Sequence, residues 1–172
     1  MGARLVGTET PAVGLSFEKN APESEEAFEL FVKTVKPLVK CAEEEGVIFG
    51  IEPVFCDIIS TPQRAQRLLE TLGSDNVGII LDGVNLLSNE AARDPEPVIR
   101  DAVNRLGDRV ALLHMKDYRA EEDGSLPALA CGEGEMDYRA LMAFARARDL
   151  SMTLENTCPE NAEKAKEHLI RS

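Results

Sequence analysis

The sequence lacks the features that would mark it for a membrane, for export or for disulfide cross-linking. No apolar run approaches the ~20 residues needed to span a bilayer, and residues 1–7 contain no long apolar segment of an export signal. The four cysteines form no CxxC pair; they are Cys41, Cys56, Cys131 and Cys158. These absences predict a cytoplasmic protein with reduced, scattered thiols and no membrane partner.

Positive charge is also scarce. The sequence has 19 Lys and Arg residues and 31 Asp and Glu residues, which gives a formal net charge of -12 at pH 7. Such a surface repels the phosphate backbone of nucleic acids, so we expect no nucleic-acid partner. A neutral or cationic small molecule, or an anion held by a bound metal, suits it better. The length of 172 residues and the hydrophobic content of 44% predict a single domain over residues 1–172.

Apolar strand-like runs alternate five times with amphipathic helical segments. The predicted strands cover residues 4–8, 47–54, 77–82, 109–115 and 151–155, and the predicted helices cover residues 22–45, 62–72, 95–106, 138–148 and 159–170. Strict strand-then-helix succession is typical of parallel strands joined by right-handed crossovers. The strands are nearly continuous apolar runs, as expected where both faces of a sheet are covered.

Four successive predicted strands end on a residue type that binds divalent metals. These residues are Glu52, Asp82, His114 and Glu155, separated by 30, 32 and 41 residues. A single strand-end carboxylate is commonly a helix cap or a solvated residue, but four in consecutive units favour a shared site. Parallel α/β sheets and barrels build their sites at this end of the strands. Three carboxylates and one imidazole predict one divalent ion, with Mn²⁺, Co²⁺ or Mg²⁺ favoured over Zn²⁺.

The two-residue period of a strand predicts where these side chains point. The alternate positions are large and apolar and suit packing under helices, so the four candidates are expected to face a barrel interior. Lys116 follows His114 by two residues and shares that face. We predict that Lys116 contacts a substrate anion or oxyanion; the alternative is a rim lysine paired with Asp117 or another acid. Arg119 is a further candidate for substrate binding, whereas His168 is expected at the surface.

Across nearly all of its length, the chain resembles the xylose isomerase-like TIM-barrel family of sugar isomerases and epimerases. The resemblance lies in the ordered segments LVGTET, GVIFGIEPV, NVGIILDGVNLL, RVALLHMKDY, CGEGEMDY and MTLENT. These segments match the family's fourth to eighth βα units. The resemblance therefore implies an α/β fold, a partial TIM (β/α) barrel with five parallel βα units.

The resemblance also implies a chemistry. Glu52, Asp82, His114 and Glu155 would bind one divalent metal, and Glu52 and Glu155 would act as acid and base on opposite faces of a sugar or sugar phosphate. The metal stabilises an enediolate while carboxylates move the proton α to the carbonyl. Lys116 is a third catalytic candidate. The function so implied is a metal-dependent isomerase or epimerase.

The chain departs from the family pattern in two respects. Asn85 stands three residues after Asp82, where many members carry a histidine; its amide can bind a substrate hydroxyl but cannot shuttle a proton near neutral pH. The first three βα units have no counterpart, although a closed barrel needs roughly 250 residues. We therefore expect a homo-oligomer that covers the open side of the barrel, because unpaired edges at residues 4–8 and 151–155 recruit partners.

Three alternatives remain open at this point. The first is a truncated barrel that binds metal or sugar without turnover. The second is a dehydratase of a cyclic keto-polyol, which would use the same ligands and Lys116. The third is the apurinic-endonuclease branch of the fold, which is disfavoured because it needs a histidine-rich zinc cluster and a basic face, whereas only His114 is placed for ligation.

Overall fold

The computed structural model describes residues 2–10 and 24–172. Its strands are β1 Leu5–Glu9, β2 Ile48–Glu52, β3 Val77–Asp82, β4 Val110–Met115, β5 Asp117–Tyr118, β6 Ala128–Leu129 and β7 Met152–Leu154. Its helices are α1 Glu25–Glu45, α2 Pro62–Leu72, α3 Glu96–Leu106, α4 Arg139–Arg148 and α5 Ala162–Arg171. The predicted bounds differ by a few residues from these, and the predicted start of the first helix at Pro22 lies outside the described residues.

The main sheet has five strands in the order β1-β2-β3-β4-β7. β1 pairs with β2, β2 with β3 and β4 with β7 in parallel register. Each of these strands is followed by one helix along the chain, so five βα units are present. The predicted α/β partial TIM barrel is confirmed. The short antiparallel ribbon of β5 and β6 lies between the predicted fourth strand and fourth helix, where the sequence predicts neither element.

Local sequence signals explain where the first two helices begin and end. The Ser24 and Thr61 hydroxyls accept N–H groups from the first turns of α1 and α2, and Gly46 and Gly73 end these helices in the left-handed conformation that glycine adopts without strain. The predicted fourth helix starts at residue 138, whereas α4 begins at Arg139. Asp137 accepts the Arg139 N–H two residues on, a local bond typical of Asp in turns.

The chain divides into two compact units. The first comprises Met1–Leu81 with Arg105–Ala111. Its core is apolar and includes Phe28, Phe31, Val35, Phe49, Ile51, Ile59, Leu68 and Ile79. Within it, the Arg67 guanidinium lies 4.3 Å from the centre of the Phe28 ring and also pairs with Glu25 at 2.7 Å. Arg67 of α2 therefore contacts α1 both through a cation–π interaction and through an ion pair.

The second unit comprises Asp82–Asn104 with Leu112–Ser172. Its core includes Ile99, Ala102, Leu113, Met115, Met136, Leu141, Met142 and Leu169. The residue after β3 is Gly83, where an added Cβ would lie 2.8–3.1 Å from side-chain atoms of Ile99, Met136 and Leu141. A residue larger than glycine directly after Asp82 would therefore make the ends of these side chains shift.

Burial differs between the inner and outer strands of the sheet. All six residues of β3 are buried, as predicted for a strand covered on both faces. β1 and β7, the outer strands in the described part of the chain, are largely exposed, so the same expectation is wrong for them. Val6 is 47% exposed and Met152 is 39% exposed, because an outer strand has a neighbour on one side alone. Among the described helices, none is long and apolar enough to cross a membrane.

Candidate functional site

Asp82 is the last residue of β3 and its side chain is fully buried. Its Oδ1 accepts the backbone N–H groups of Val84 at 2.8 Å and Asn85 at 3.0 Å, which forms a turn directly after the strand. Its Oδ2 lies 3.0 Å from the Nζ of Lys116. The backbone thus anchors one carboxylate oxygen, and the other faces a cation.

His114 and Lys116 leave β4 on the same side, as the strand period predicts. The intervening Met115 and the preceding Leu113 are buried in the core of the unit, at 1% and 0% exposure. The His114 Nδ1 lies 2.9 Å from Glu155 Oε1. The Lys116 Nζ lies 3.0 Å from Glu155 Oε2, and the lysine is 8% exposed. Lys116 therefore bridges Asp82 and Glu155 rather than pairing with its neighbour Asp117.

Glu155 follows β7 and continues its hydrogen bonding to β4. The Glu155 N–H donates to the Met115 carbonyl at 2.9 Å, and Thr153 lies opposite His114 in the parallel register. The ladder therefore fixes the height of Glu155 relative to His114. Its side chain is 32% exposed, with one oxygen toward the imidazole and the other toward the lysine. Among Asp82, His114, Lys116 and Glu155, Glu155 is the most accessible to solvent.

Two opposing effects act on the pKa of Lys116. Burial of the ammonium is the largest influence and by itself lowers the pKa. The carboxylates of Asp82 and Glu155 outweigh it, so the pKa is raised and Lys116 is positively charged. A single positive charge therefore lies between two carboxylates in a largely buried position.

Asp117 has a structural role that sequence reasoning missed. It is 1% exposed, and its carboxylate accepts three backbone N–H groups, from Tyr118 at 2.9 Å, Gly132 at 2.9 Å and Met136 at 2.8 Å. These bonds tie the loop CGEGEM to the start of β5. In the same loop an added Cβ on Gly134 would lie against the Tyr118 carbonyl. The sequence offered one indication of this role. Successive strand residues point to opposite faces, so Asp117 is expected on the face opposite to Lys116.

The other residues predicted from the sequence have various relations to the cluster formed by Asp82, His114, Lys116 and Glu155. Asn85 is half-buried and donates its N–H to Asp82. Arg119 is exposed and its guanidinium donates to the Glu133 carbonyl at 2.8 Å, so it contacts a loop rather than the cluster. His168 is exposed on α5, as predicted, with its ring edge-on to Tyr138 at 5.7 Å. Of the predicted substrate-binding residues, Lys116 alone has an ion pair with the cluster.

The donor atoms suit a divalent metal. Glu52 is the last residue of β2 and is 4% exposed. Two atoms that bind one ion at about 2.1 Å and at right angles lie about 3 Å apart. The distance of 2.9 Å between His114 Nδ1 and Glu155 Oε1 agrees with that spacing. A carboxylate and imidazole set is the donor chemistry of Mg²⁺, Mn²⁺ and Zn²⁺ sites.

Comparison with known proteins gives a consistent result. The profile of the xylose isomerase-like TIM barrel family matches residues 1–171. A solved D-tagatose 3-epimerase-like protein superposes with a TM-score of 0.76 at 21% identity, covering 98% of this chain and 61% of that one. A xylose isomerase-like TIM barrel protein from Mycobacterium smegmatis, in complex with magnesium, gives 0.69 at 19% identity, with coverage of 99% and 62%.

A third similar structure is that of the IOLI protein with a bound zinc atom. The superposition has a TM-score of 0.63 at 21% identity and covers 98% of this chain and 60% of the IOLI chain. The chain thus spans about three fifths of the length of these structures. At such identities the likeness shows the fold. None of the curated proteins matches the sequence.

Proposed function

The chain belongs to the xylose isomerase-like TIM barrel family, and from that premise we propose that it is a divalent-metal-dependent isomerase or epimerase of a sugar or sugar phosphate. The observation that carries this proposal is the convergence of Asp82, His114, Lys116 and Glu155 at the carboxyl ends of neighbouring strands. The similar fold of a D-tagatose 3-epimerase-like protein supports the substrate class.

The proposed metal ligands are Glu52, Asp82, His114 and Glu155, the four strand-end residues. A divalent ion at this position would polarise the substrate carbonyl and make the adjacent C–H acidic. Similar structures with magnesium and with zinc support a divalent ion, and the oxygen-rich donor set also suits Mn²⁺ or Co²⁺. The buried turn that fixes Asp82 would hold one ligand rigidly.

We assign proton transfer to the two glutamates. Glu155, partly exposed, would take the proton from the carbon α to the carbonyl, and Glu52 would return a proton on the opposite face, or the reverse for the back reaction. Lys116 would donate a hydrogen bond to the oxygen that gains negative charge, since its ammonium is charged and already directed at the site. Asn85 would bind a substrate hydroxyl through its amide.

The second candidate is binding of metal or sugar without turnover. The observation that favours it is the coverage of about three fifths of the similar structures, whose chains are longer than this one. We further propose a cytoplasmic location and a homo-oligomer in which a partner chain covers the exposed outer strands.

Proton exchange tests the proposal whichever sugar is the substrate. The protein is incubated in D₂O with Mn²⁺ and a panel of keto-sugars, sugar phosphates and keto-polyols, and ¹H NMR follows loss of the α-proton signal. We expect metal-dependent exchange with one substrate class, and its loss in Glu155→Gln. Loss of water from a keto-polyol would indicate a dehydratase instead. Metal binding without any exchange would support the second candidate, and absence of metal binding would refute the site.

A further inference from the structure

The positively charged ammonium of Lys116 lies between the carboxylates of two proposed metal ligands. Its Nζ lies 3.0 Å from Asp82 Oδ2 and 3.0 Å from Glu155 Oε2. We propose that Lys116 is the resident cation of the metal-free site, and that a divalent ion binds by displacing the ammonium from these two oxygens. The inference rests on the proposed metal site and adds to it a means of setting metal affinity.

The hydrogen bonds of Asp82 leave the same carboxylate oxygen, Oδ2, for the metal ion and for the Lys116 ammonium. Oδ1 accepts two backbone N–H groups, from Val84 and Asn85, within a turn that includes the closely packed Gly83. Rotation of the carboxylate to offer Oδ1 to an ion would break both bonds in a fully buried position, which is costly. Oδ2 is therefore the oxygen directed at the cation, and it is the one that Lys116 contacts.

Glu155 divides its two oxygens in a similar way. Oε1 lies against His114 Nδ1, whereas Oε2 accepts the Lys116 ammonium. An ion that gathers Asp82 Oδ2, His114 and Glu155 would approach within a few ångströms of the ammonium. Like charges at that distance in a partly desolvated site repel strongly, so the two cations exclude each other. Binding would then be an exchange of one cation for another.

The lysine is suited to such an exchange. Without a cation, the buried Asp82 carboxylate would lack charge compensation from Lys116, an arrangement that destabilises folded proteins. With the ion bound, the four-carbon stem of Lys116 allows its ammonium to move to an adjacent position facing the substrate. The same residue would thus stabilise the metal-free protein and, after displacement, bind a substrate anion or oxyanion.

Metal affinity of matched variants tests the inference. Mn²⁺ binding is measured by electron paramagnetic resonance and by calorimetry for wild type, Lys116→Met, Lys116→Arg and Lys166→Met. Lys166 pairs with Glu163 at the same 3.0 Å but on the exposed surface, so its variant removes one charge without touching the site. We expect Lys116→Met to bind Mn²⁺ about tenfold more tightly or better. Lys116→Arg and Lys166→Met should stay near wild type.

The outcomes separate this inference from the proposed function. If wild type binds Mn²⁺ and Lys116→Met binds it equally or more weakly, the competition is refuted while the metal site stands. If no variant binds the ion, the metal site itself fails and the inference fails with it.

A measurement on wild type remains decisive should Lys116→Met not fold. Lysines are acetylated with and without saturating Mn²⁺, and modification is quantified by peptide mass spectrometry. Lys116 is 8% exposed and should be protected in the metal-free protein. We expect Mn²⁺ to increase its modification at least severalfold while Lys166 remains unchanged. Equal protection of Lys116 in both states would contradict the displacement.

Discussion

Replacement of Asp117 by asparagine should destabilise the protein severely without altering any proposed ligand. Its carboxylate accepts three backbone N–H groups in a position that is 1% exposed. An asparagine has one acceptor oxygen, so its amide NH₂ would face a backbone N–H. The best orientation keeps the oxygen at Oδ1, which serves Tyr118 and Met136, and loses the bond to Gly132.

The magnitude follows from those three bonds. Loss of the charge-assisted bond to Gly132 costs about 2 kcal/mol, and conversion of the other two from charge-assisted to neutral costs about 1 kcal/mol each. We therefore expect Asp117→Asn to lower the free energy of unfolding by about 4 kcal/mol, a large part of the usual total of about 5–15 kcal/mol. Urea unfolding followed by circular dichroism measures this difference.

A matched substitution provides the control. Asp123 accepts one backbone N–H, from Ser125 at 2.9 Å, in an exposed turn. Asp123→Asn makes the same change in net charge and should leave the urea midpoint close to that of wild type, because the group is exposed. The reasoning is refuted if Asp117→Asn costs less than about 1 kcal/mol, or if the two variants unfold at the same urea concentration.

Three further predictions concern thiols, pH and assembly. Burial raises the pKa of the Cys131 thiol to about 11, so a thiol reagent at pH 8 should modify exposed Cys41 and Cys158 quickly and Cys131 only after unfolding. Cys56 should react more slowly than Cys41 and Cys158, because burial and the neighbouring Asp57 carboxylate raise its pKa; four equally fast thiols would contradict this. Burial, then the nearby Glu9 carboxylate, raises the pKa of Asp57 from 3.8 to about 6. The unfolded chain ionises Asp57 more readily, so metal-free wild type should lose stability relative to Asp57→Asn as the pH rises from about 4 to about 6, and equal pH profiles would refute it. Because both outer strands are exposed, light scattering should show a dimer or larger assembly at micromolar concentration, and a clean monomer would contradict that proposal.

The sequence was sufficient to predict the order of the five βα units and the strand-end residues. The reason is that parallel strands bury continuous apolar runs, so each change from apolar to polar marks a strand end. Asp82, His114 and Glu155 could be located in this way because each stands directly at such a change. The two-residue period of β4 also predicted that Lys116 lies on the same face as His114.

Other features depend on contacts that no periodic pattern records. The partners of Asp117 lie up to 19 residues further along the chain, in an irregular loop. The β5–β6 ribbon consists of two-residue strands, too short for an alternation to be recognised. The bridge from Lys116 to Asp82 and Glu155 joins three strand ends, and its preference over Asp117 is decided by burial and geometry in the folded unit. The bond from the Arg119 guanidinium to the Glu133 carbonyl likewise depends on the folded loop.

The central claim is that the strand-end cluster binds a divalent metal ion, and anomalous X-ray scattering from crystals grown with Mn²⁺ tests it most directly. We expect one strong peak bonded to Asp82 Oδ2, His114 Nδ1 and a Glu155 oxygen, with Glu52 as a further ligand and with the Lys116 ammonium moved away from Asp82. A peak remote from these residues, or no peak at saturating Mn²⁺, would contradict the account. A bound ion with Lys116 still between Asp82 and Glu155 would leave the metal site standing and refute the displacement.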